Sequence, residues 1–279
     1  MSLVAKISKK VVKTRREIHR ALRRGLRPVP HPRPVFVVGC QRSGTSVTLR
    51  IFDQSLDATV FWPHDSKAYS HQLLRKPERI KELISQSRTT VAVFKPMNQI
   101  QLIPEYLAEY PGLKIVWLLR RYQDVVNSSA RKWKSMPETL RQIVIDPQRA
   151  GWHGENLSQK TLEIVRTHYH DNISLESAYA LFWYMRNIFY FEYGLDHNPN
   201  VKIFRYEQLV QQPEKYFAEM FKFCNVSFDP KFTRQIYSSS VGKNPPPSID
   251  EGIKKLCEEL TEAFQQHLSA RYAPADTNI

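Results

Sequence analysis

Eight consecutive residues of this 279-residue chain, Gly39-Cys40-Gln41-Arg42-Ser43-Gly44-Thr45-Ser46, have the types and spacing to bind an anion. They follow a short apolar run, Val35–Val38, and lead into a stretch of helical pattern from Thr45. A turn between a strand and a helix gathers backbone N–H groups at the helix N-terminus, where negative charge is favoured. Four residues separate Gly39 from Gly44, the spacing of a phosphate-binding loop. A nucleoside-triphosphate loop continues with lysine, for the terminal phosphates, and then a Ser/Thr hydroxyl for Mg²⁺. Here Thr45 stands at the lysine position, and the cation has moved into the loop as Arg42. A loop without that lysine suits a single 5′-phosphate carrying another group better than a triphosphate with its metal. The candidate binding residues are therefore Gln41, Arg42, Ser43, Gly44, Thr45 and Ser46.

A second group of residues sits beyond another apolar run. Ile115–Leu119 leads to Arg120, and Asp124 and Ser128 follow at four and eight positions. Arginine offers a two-pronged donor to phosphate, and a hydroxyl near a helix N-terminus adds another. With these residues in hand the chain resembles the sulfotransferase superfamily, whose phosphosulfate loop reads R/K-S-G-T-S/T, as Arg42–Ser46 does. The family's strand-end arginine and the serine eight residues later hold the 3′-phosphate of the nucleotide; Arg120 and Ser128 fall on that spacing. Arg205-Tyr206-Glu207-Gln208-Leu209, followed by Pro213, is similar to the family's Y-E-D-L segment, whose tyrosine lies near the nucleotide. The resemblance implies an α/β, P-loop-containing nucleotide-binding fold with a central parallel sheet and helices on both faces. It also implies transfer of a sulfuryl group from 3′-phosphoadenosine 5′-phosphosulfate (PAPS) to an acceptor hydroxyl, with no metal.

The acceptor side departs from the pattern. Lys95, 25 residues before Arg120, resembles a lysine of tyrosylprotein and some other sulfotransferases, and the resemblance makes it, with Arg42, a stabiliser of the leaving oxygen. That likeness points to the carbohydrate and protein branch, and so to a sugar hydroxyl as acceptor. The cytosolic small-molecule branch has a catalytic histidine two places after the lysine, where this chain has Met97. The other branch uses a carboxylate some twenty residues beyond the loop arginine, which singles out Asp65, with His64 beside it, as general base. Val47 replaces an adenine-stacking tryptophan, and the C-terminal R-K-G nucleotide loop is absent; Ser239 to Lys243 is the candidate stand-in. Two other readings stay open: a non-catalytic relative that keeps the nucleotide, and a P-loop small-molecule phosphotransferase.

These residues need a scaffold, and the pattern supplies one. Apolar runs at Val35–Gly39, Val91–Phe94, Lys114–Leu119 and Val201–Phe204 alternate with helical stretches at Thr45–Gln54, Gln101–Glu109, Asp124–Lys134 and Pro213–Cys224. Such alternation argues for a parallel sheet covered on both sides. Glu176–Gly194 is apolar nearly all round and reads as a core helix; Ile249 to Leu268 is amphipathic. Residues 135–175 match no family segment, and Trp152, His153, His168 and His170 within them are expected to shape the acceptor pocket. His168-x-His170 offers two ligands without a third, too few for zinc.

The net charge of +14 is unevenly placed: residues 1–33 hold eleven basic side chains and one acid, and the other 246 hold 30 and 26. The folded part, 34–279, is thus nearly balanced, which argues against nucleic acid as a partner. Val4, Ile7, Val11, Ile18 and Leu22 make 1–27 a basic amphipathic segment, open to peripheral membrane contact, organellar targeting or docking, and Pro28–Pro34 is a stiff spacer. Three scattered cysteines with no CxxC pair, no secretory signal and no apolar run of membrane length lead to the expectation of a cytoplasmic protein with reduced thiols.

Overall fold

A computed structural model of the chain describes residues 31–238 and 241–272. The strands are Arg33–Val38 (β1), Ala58–Val60 (β2), Tyr69–Ser70 (β3), Leu73–Leu74 (β4), Val91–Phe94 (β5), Lys114–Leu119 (β6) and Val201–Arg205 (β7). Five of them form one parallel sheet in the order β2-β5-β1-β6-β7, and β3 and β4 make a separate antiparallel pair. The three inner strands have helices on both faces, so both sets of alternating side chains are apolar. Val35, Val37, Val93, Val116 and Leu118 face one layer, which includes the helices Thr45–Phe52 (α1) and Pro213–Phe223 (α9). Phe36, Val38, Phe94, Ile115 and Trp117 face the other, built mainly on Leu175–Glu192 (α7) and Glu251–Tyr272 (α10). Trp117 meets Tyr190 of α7 edge to face at 5.4 Å, and Phe191 meets Phe264 of α10 at 4.8 Å.

The remaining helices are Pro77–Gln86 (α2), Ile103–Glu109 (α3), Tyr122–Lys132 (α4), Met136–Ile145 (α5), Gln159–His168 (α6) and Tyr206–Gln211 (α8). The parallel sheet with helices on both faces is the architecture that the alternating pattern implies. Several details differ. β1 begins at Arg33, so Pro34 belongs to the strand and not to the spacer, tolerated because it lies at the strand's opening. The edge strand β2 is three residues long, too short to show a periodicity. Residues 135–175 hold α5, α6 and a 3₁₀ turn at Gly151–His153. Cys40, Cys224 and Cys257 are free thiols, all buried. Among the described residues no helix is long and apolar enough to cross a membrane. The basic segment 1–27 lies outside the described residues, as does Ser239.

Candidate active site

In a parallel sheet the crevice opens beyond the carboxyl ends of the strands. Four strand ends deliver the candidate residues there: Gly39–Gly44 after β1, Lys95 after β5, Arg120 after β6 and Tyr206 after β7. The loop after β1 is tightly wound, with Arg42 at φ 72° and Gly44 at φ 95°. A side chain at Gly44 would put its Cβ 2.3 Å from the Tyr206 ring, and one at Gly39 would sit 2.3 Å from the Leu118 carbonyl oxygen. Glycine is required at both places by close approach as well as by backbone conformation. Beside the loop, Lys95 Nζ donates to Ser46 Oγ at 2.7 Å, and Thr45 Oγ1 lies 3.1 Å from Met97 Sδ. Gln41 Nε2 donates to Asn98 Oδ1 at 3.2 Å, holding the loop against the segment after β5. Ser43 is wholly buried, and its Oγ has no hydrogen-bond partner among the described residues.

β1 and β6 are neighbours, and their two turns interlock. Arg120 Nη1 donates to the Arg42 carbonyl at 2.9 Å, while Arg42 Nε donates to Ser128 Oγ at 2.8 Å. The Arg120 guanidinium also lies over the Tyr206 ring, 4.4 Å from its centroid, and its backbone carbonyl accepts from Trp183 Nε1 at 3.1 Å. Asp124 is buried, and its carboxylate accepts from the Gly242 amide at 3.3 and 3.4 Å. With Asn127 bonded to the Pro245 carbonyl and Arg131 to Asn244, it straps the segment around Lys243 across α4.

The result is a cleft of about 600 Å³ lined by seven cationic side chains, Arg42, Arg50, Lys95, Arg120, Arg131, Lys132 and Lys243, against the single carboxylate of Asp124. Gathering that charge has consequences. Burial, then the nearby charges of Arg42, Lys132 and Arg50, bring the Lys95 ammonium down to about 8. Arg42 is lowered too, by burial and by Arg120 and Arg131. Such a set of donors is built for a multiply charged anion. Arg131 and Lys132 carry no motif that marks them in the sequence, although helical spacing from Ser128 puts them on the same side of α4. Tyr69 is equally unmarked; its hydroxyl accepts the Lys95 backbone N–H at 2.6 Å and fixes where that lysine leaves the sheet.

The two candidates for general base lie apart from this cluster. Asp65 Oδ1 accepts from the Lys67 amide at 2.9 Å, and its carbonyl accepts from Ala68 and Tyr69, so the residue closes a turn. His64 is exposed beside Trp62, and of this stretch Pro63 lines the cleft. Of the four residues from 135–175, Trp152 and His153 line a second cavity next to the cleft. His168 and His170 do not: one bonds to Ile164 of its own helix, the other pairs with Asp250. No group of three or more His, Cys, Asp or Glu among the described residues is arranged to hold a metal.

Comparisons with known proteins follow the same lines. The chain is similar in structure to a sulfotransferase domain of the Synechococcus PCC 7002 olefin synthase, at 14 % identity and TM-score 0.46, covering 84 % of this chain and 97 % of that one. It is also similar to a sulfotransferase from Alicyclobacillus acidocaldarius (19 % identity, TM-score 0.42, 87 % and 96 % covered). A mouse sulfotransferase in complex with PAP is similar at 13 % identity and TM-score 0.42, with 88 % and 86 % covered. No curated protein matches the sequence. The family model of the sulfotransferase domain matches residues 32–245, the whole span from the opening of β1 to the strap beyond Lys243. The chain belongs to the sulfotransferase family, and its activity is sulfuryl transfer.

Proposed function

We propose that the protein transfers a sulfuryl group from PAPS to an acceptor hydroxyl in the cleft beyond β1, β5 and β6. The observation that carries this is the interlock of Arg42, Arg120 and Ser128 between adjacent strand ends. The residues fit the nucleotide: a buried Ser43 hydroxyl without a partner among the described residues, loop amides, and cations outnumbering carboxylates all call for anionic oxygens. Bound there, PAPS supplies the sulfuryl group and a 5′-phosphate oxygen as the leaving atom. Gln41, Arg42, Ser43, Gly44, Thr45 and Ser46 hold its 5′ end. Arg120 and Ser128 hold the 3′-phosphate, Tyr206 flanks the nucleotide, and Lys243 closes it from the strap, with Ser239 beside it in the chain. Lys95 and Arg42 place positive charge where the leaving oxygen develops charge, a preorganised arrangement that costs no reorientation during reaction.

Asp65 and His64 serve as base in this reading if the turn at Pro63 swings inward. The likeness at Lys95 favours a sugar hydroxyl as acceptor. Residues 1–27 give a peripheral membrane contact, checked by liposome binding of the full chain against a chain lacking them. The nucleotide assignment is tested by calorimetry with 3′-phosphoadenosine 5′-phosphate (PAP) and with adenosine 5′-phosphate. The group lost between them makes charged hydrogen bonds, so PAP should bind about ten- to a hundredfold tighter. Equal affinities would remove Arg120 and Ser128 from the nucleotide site.

A further inference from the structure

The seven cations of the cleft fall into two groups with Arg42 between them. Arg120 and Arg131 are the charges that bear on Arg42. Arg131 follows Ser128 by one helical turn and bonds to Asn244 at 3.0 Å, next to Lys243 on the strap. That group lies on the side where the reading above puts the 3′-phosphate. The other group gathers at Lys95: the charges that bear on its ammonium are those of Arg42, Lys132 and Arg50. Lys132 and Arg50 therefore stand on the side where the sulfuryl group leaves the nucleotide.

Neither is needed to neutralise PAPS, which carries about four negative charges, about two of them on its 3′-phosphate. Arg42, Lys95, Arg120, Arg131 and Lys243 already balance that number. Among the described residues Arg50 and Lys132 enter no ion pair. The cleft's single carboxylate, Asp124, is bonded to the Gly242 amide. Lys132 Nζ lies 4.8 Å from the centroid of Trp133, which also lines the cleft. A basic residue in the last turn of a helix complements the helix dipole, and both are so placed, Arg50 in α1 and Lys132 in α4. The dipole explains a cation at each helix end. It does not explain why two helix ends bring theirs to one buried ammonium, where like charges repel until an anion lies among them.

We propose that Arg50 and Lys132 form a subsite for an acid group on the acceptor, a carboxylate or a sulfate ester, so that the substrate is a negatively charged hydroxyl compound. The proposal rests on the cleft holding PAPS. The Arg50 guanidinium offers two parallel donors to such a group, and the Lys132 ammonium adds a point charge. An acceptor held by its acid group keeps its hydroxyl free to meet the sulfur, and the tether makes that meeting frequent. The same two cations draw an anionic acceptor towards the cleft before contact.

The test uses the full chain, labelled PAPS and two matched pairs of acceptors, glucuronate with glucuronamide and 4-hydroxybenzoate with 4-hydroxybenzamide. Within a pair the hydroxyls are the same, and a neutral amide replaces the acid. Both cations are exposed, so the gain falls at the low end for a charged hydrogen bond. In at least one pair the acid should have about tenfold the kcat/KM of its amide. Lys132→Met and Arg50→Met should each reduce that ratio about threefold, and the double variant should bring it near one. Lys132→Glu should turn the preference towards the amide. Affinity for PAP should stay within about threefold of wild type in every variant, which also reports that they are folded. Acids that do no better than their amides in both pairs, or a ratio that survives the double substitution, would overturn the proposal. So would a loss of PAP affinity of about tenfold or more in the single variants, which would give both cations to the nucleotide. Wild-type protein that fails to bind PAP would instead overturn the reading of the cleft.

Discussion

The two adjoining chambers differ in the physics of their walls. The larger is defined by charge: loop amides, hydroxyls and cations converge from four strand ends, and each points inward because the parallel sheet aims all its carboxyl ends one way. The smaller is defined by surface, with uncharged walls drawn from β1's loop, the segment after β5, α4, α5, the Gly151–His153 turn and α7. Phosphates are held by direction and charge, so a few donors in fixed places suffice. A ring is held by contact area, so many side chains contribute a little each. Damage to the first chamber should therefore fall on one residue at a time, and damage to the second should be spread.

The sharpest way to break that contrast is Lys95→Ala. It removes a buried cation that bonds to Ser46 at 2.7 Å, and turnover should fall at least about a hundredfold. Unchanged turnover in a steady-state assay would make Lys95 a structural residue. Next comes Arg120→Ala. Loss of its charged hydrogen bonds should cost about 1.5–3 kcal/mol of PAP affinity, measured by calorimetry. Because Arg120 also steadies the Arg42 carbonyl, part of that cost is loop disorder; Arg120→Lys, which keeps charge without the two-pronged geometry, should recover only part. A smaller effect comes from salt. Raising the salt concentration from about 0.05 to 0.5 M should weaken PAP binding several-fold. Binding that ignores salt would mean that charge does not define the larger chamber.

The same contrast decides how much of each chamber is legible in the order of amino acids. The loop Gly39–Ser46 is legible because its chemistry is local: consecutive residues between a strand and a helix build the whole anion cradle. Arg120 and Ser128 are legible because a strand end and the next helical turns fix their separation. The sheet follows from apolar runs long enough to stand out, whereas β2, three residues at an edge, makes no such run. The second chamber has no comparable signal. The chain pattern groups Trp152, His153, His168 and His170 together, and only tertiary packing separates the first two from a histidine bonded within α6 and another paired with Asp250. An offset counted along the chain, the basis for Asp65, gives a distance in residues and no direction in space. In the folded chain its carboxylate turns back to the Lys67 amide.

The finest distinction between the chambers is a fraction of a proton. Lys95 stands at about 8 with burial and neighbouring cations against its charge, below the usual lysine value of 10.5. A bound polyanion supplies the opposite field and favours the ammonium, so nucleotide binding raises that value. Above about pH 8 the free site is then mostly neutral and a bound polyanion recharges it, so PAP binding should take up part of a proton; near pH 6 both states are protonated and uptake from this group vanishes. Calorimetry at about pH 8.5 in buffers of different ionisation enthalpy reads that uptake directly, and Lys95→Met should abolish it. No uptake on PAP binding would show that the charge of Lys95 is not set by the nucleotide cleft.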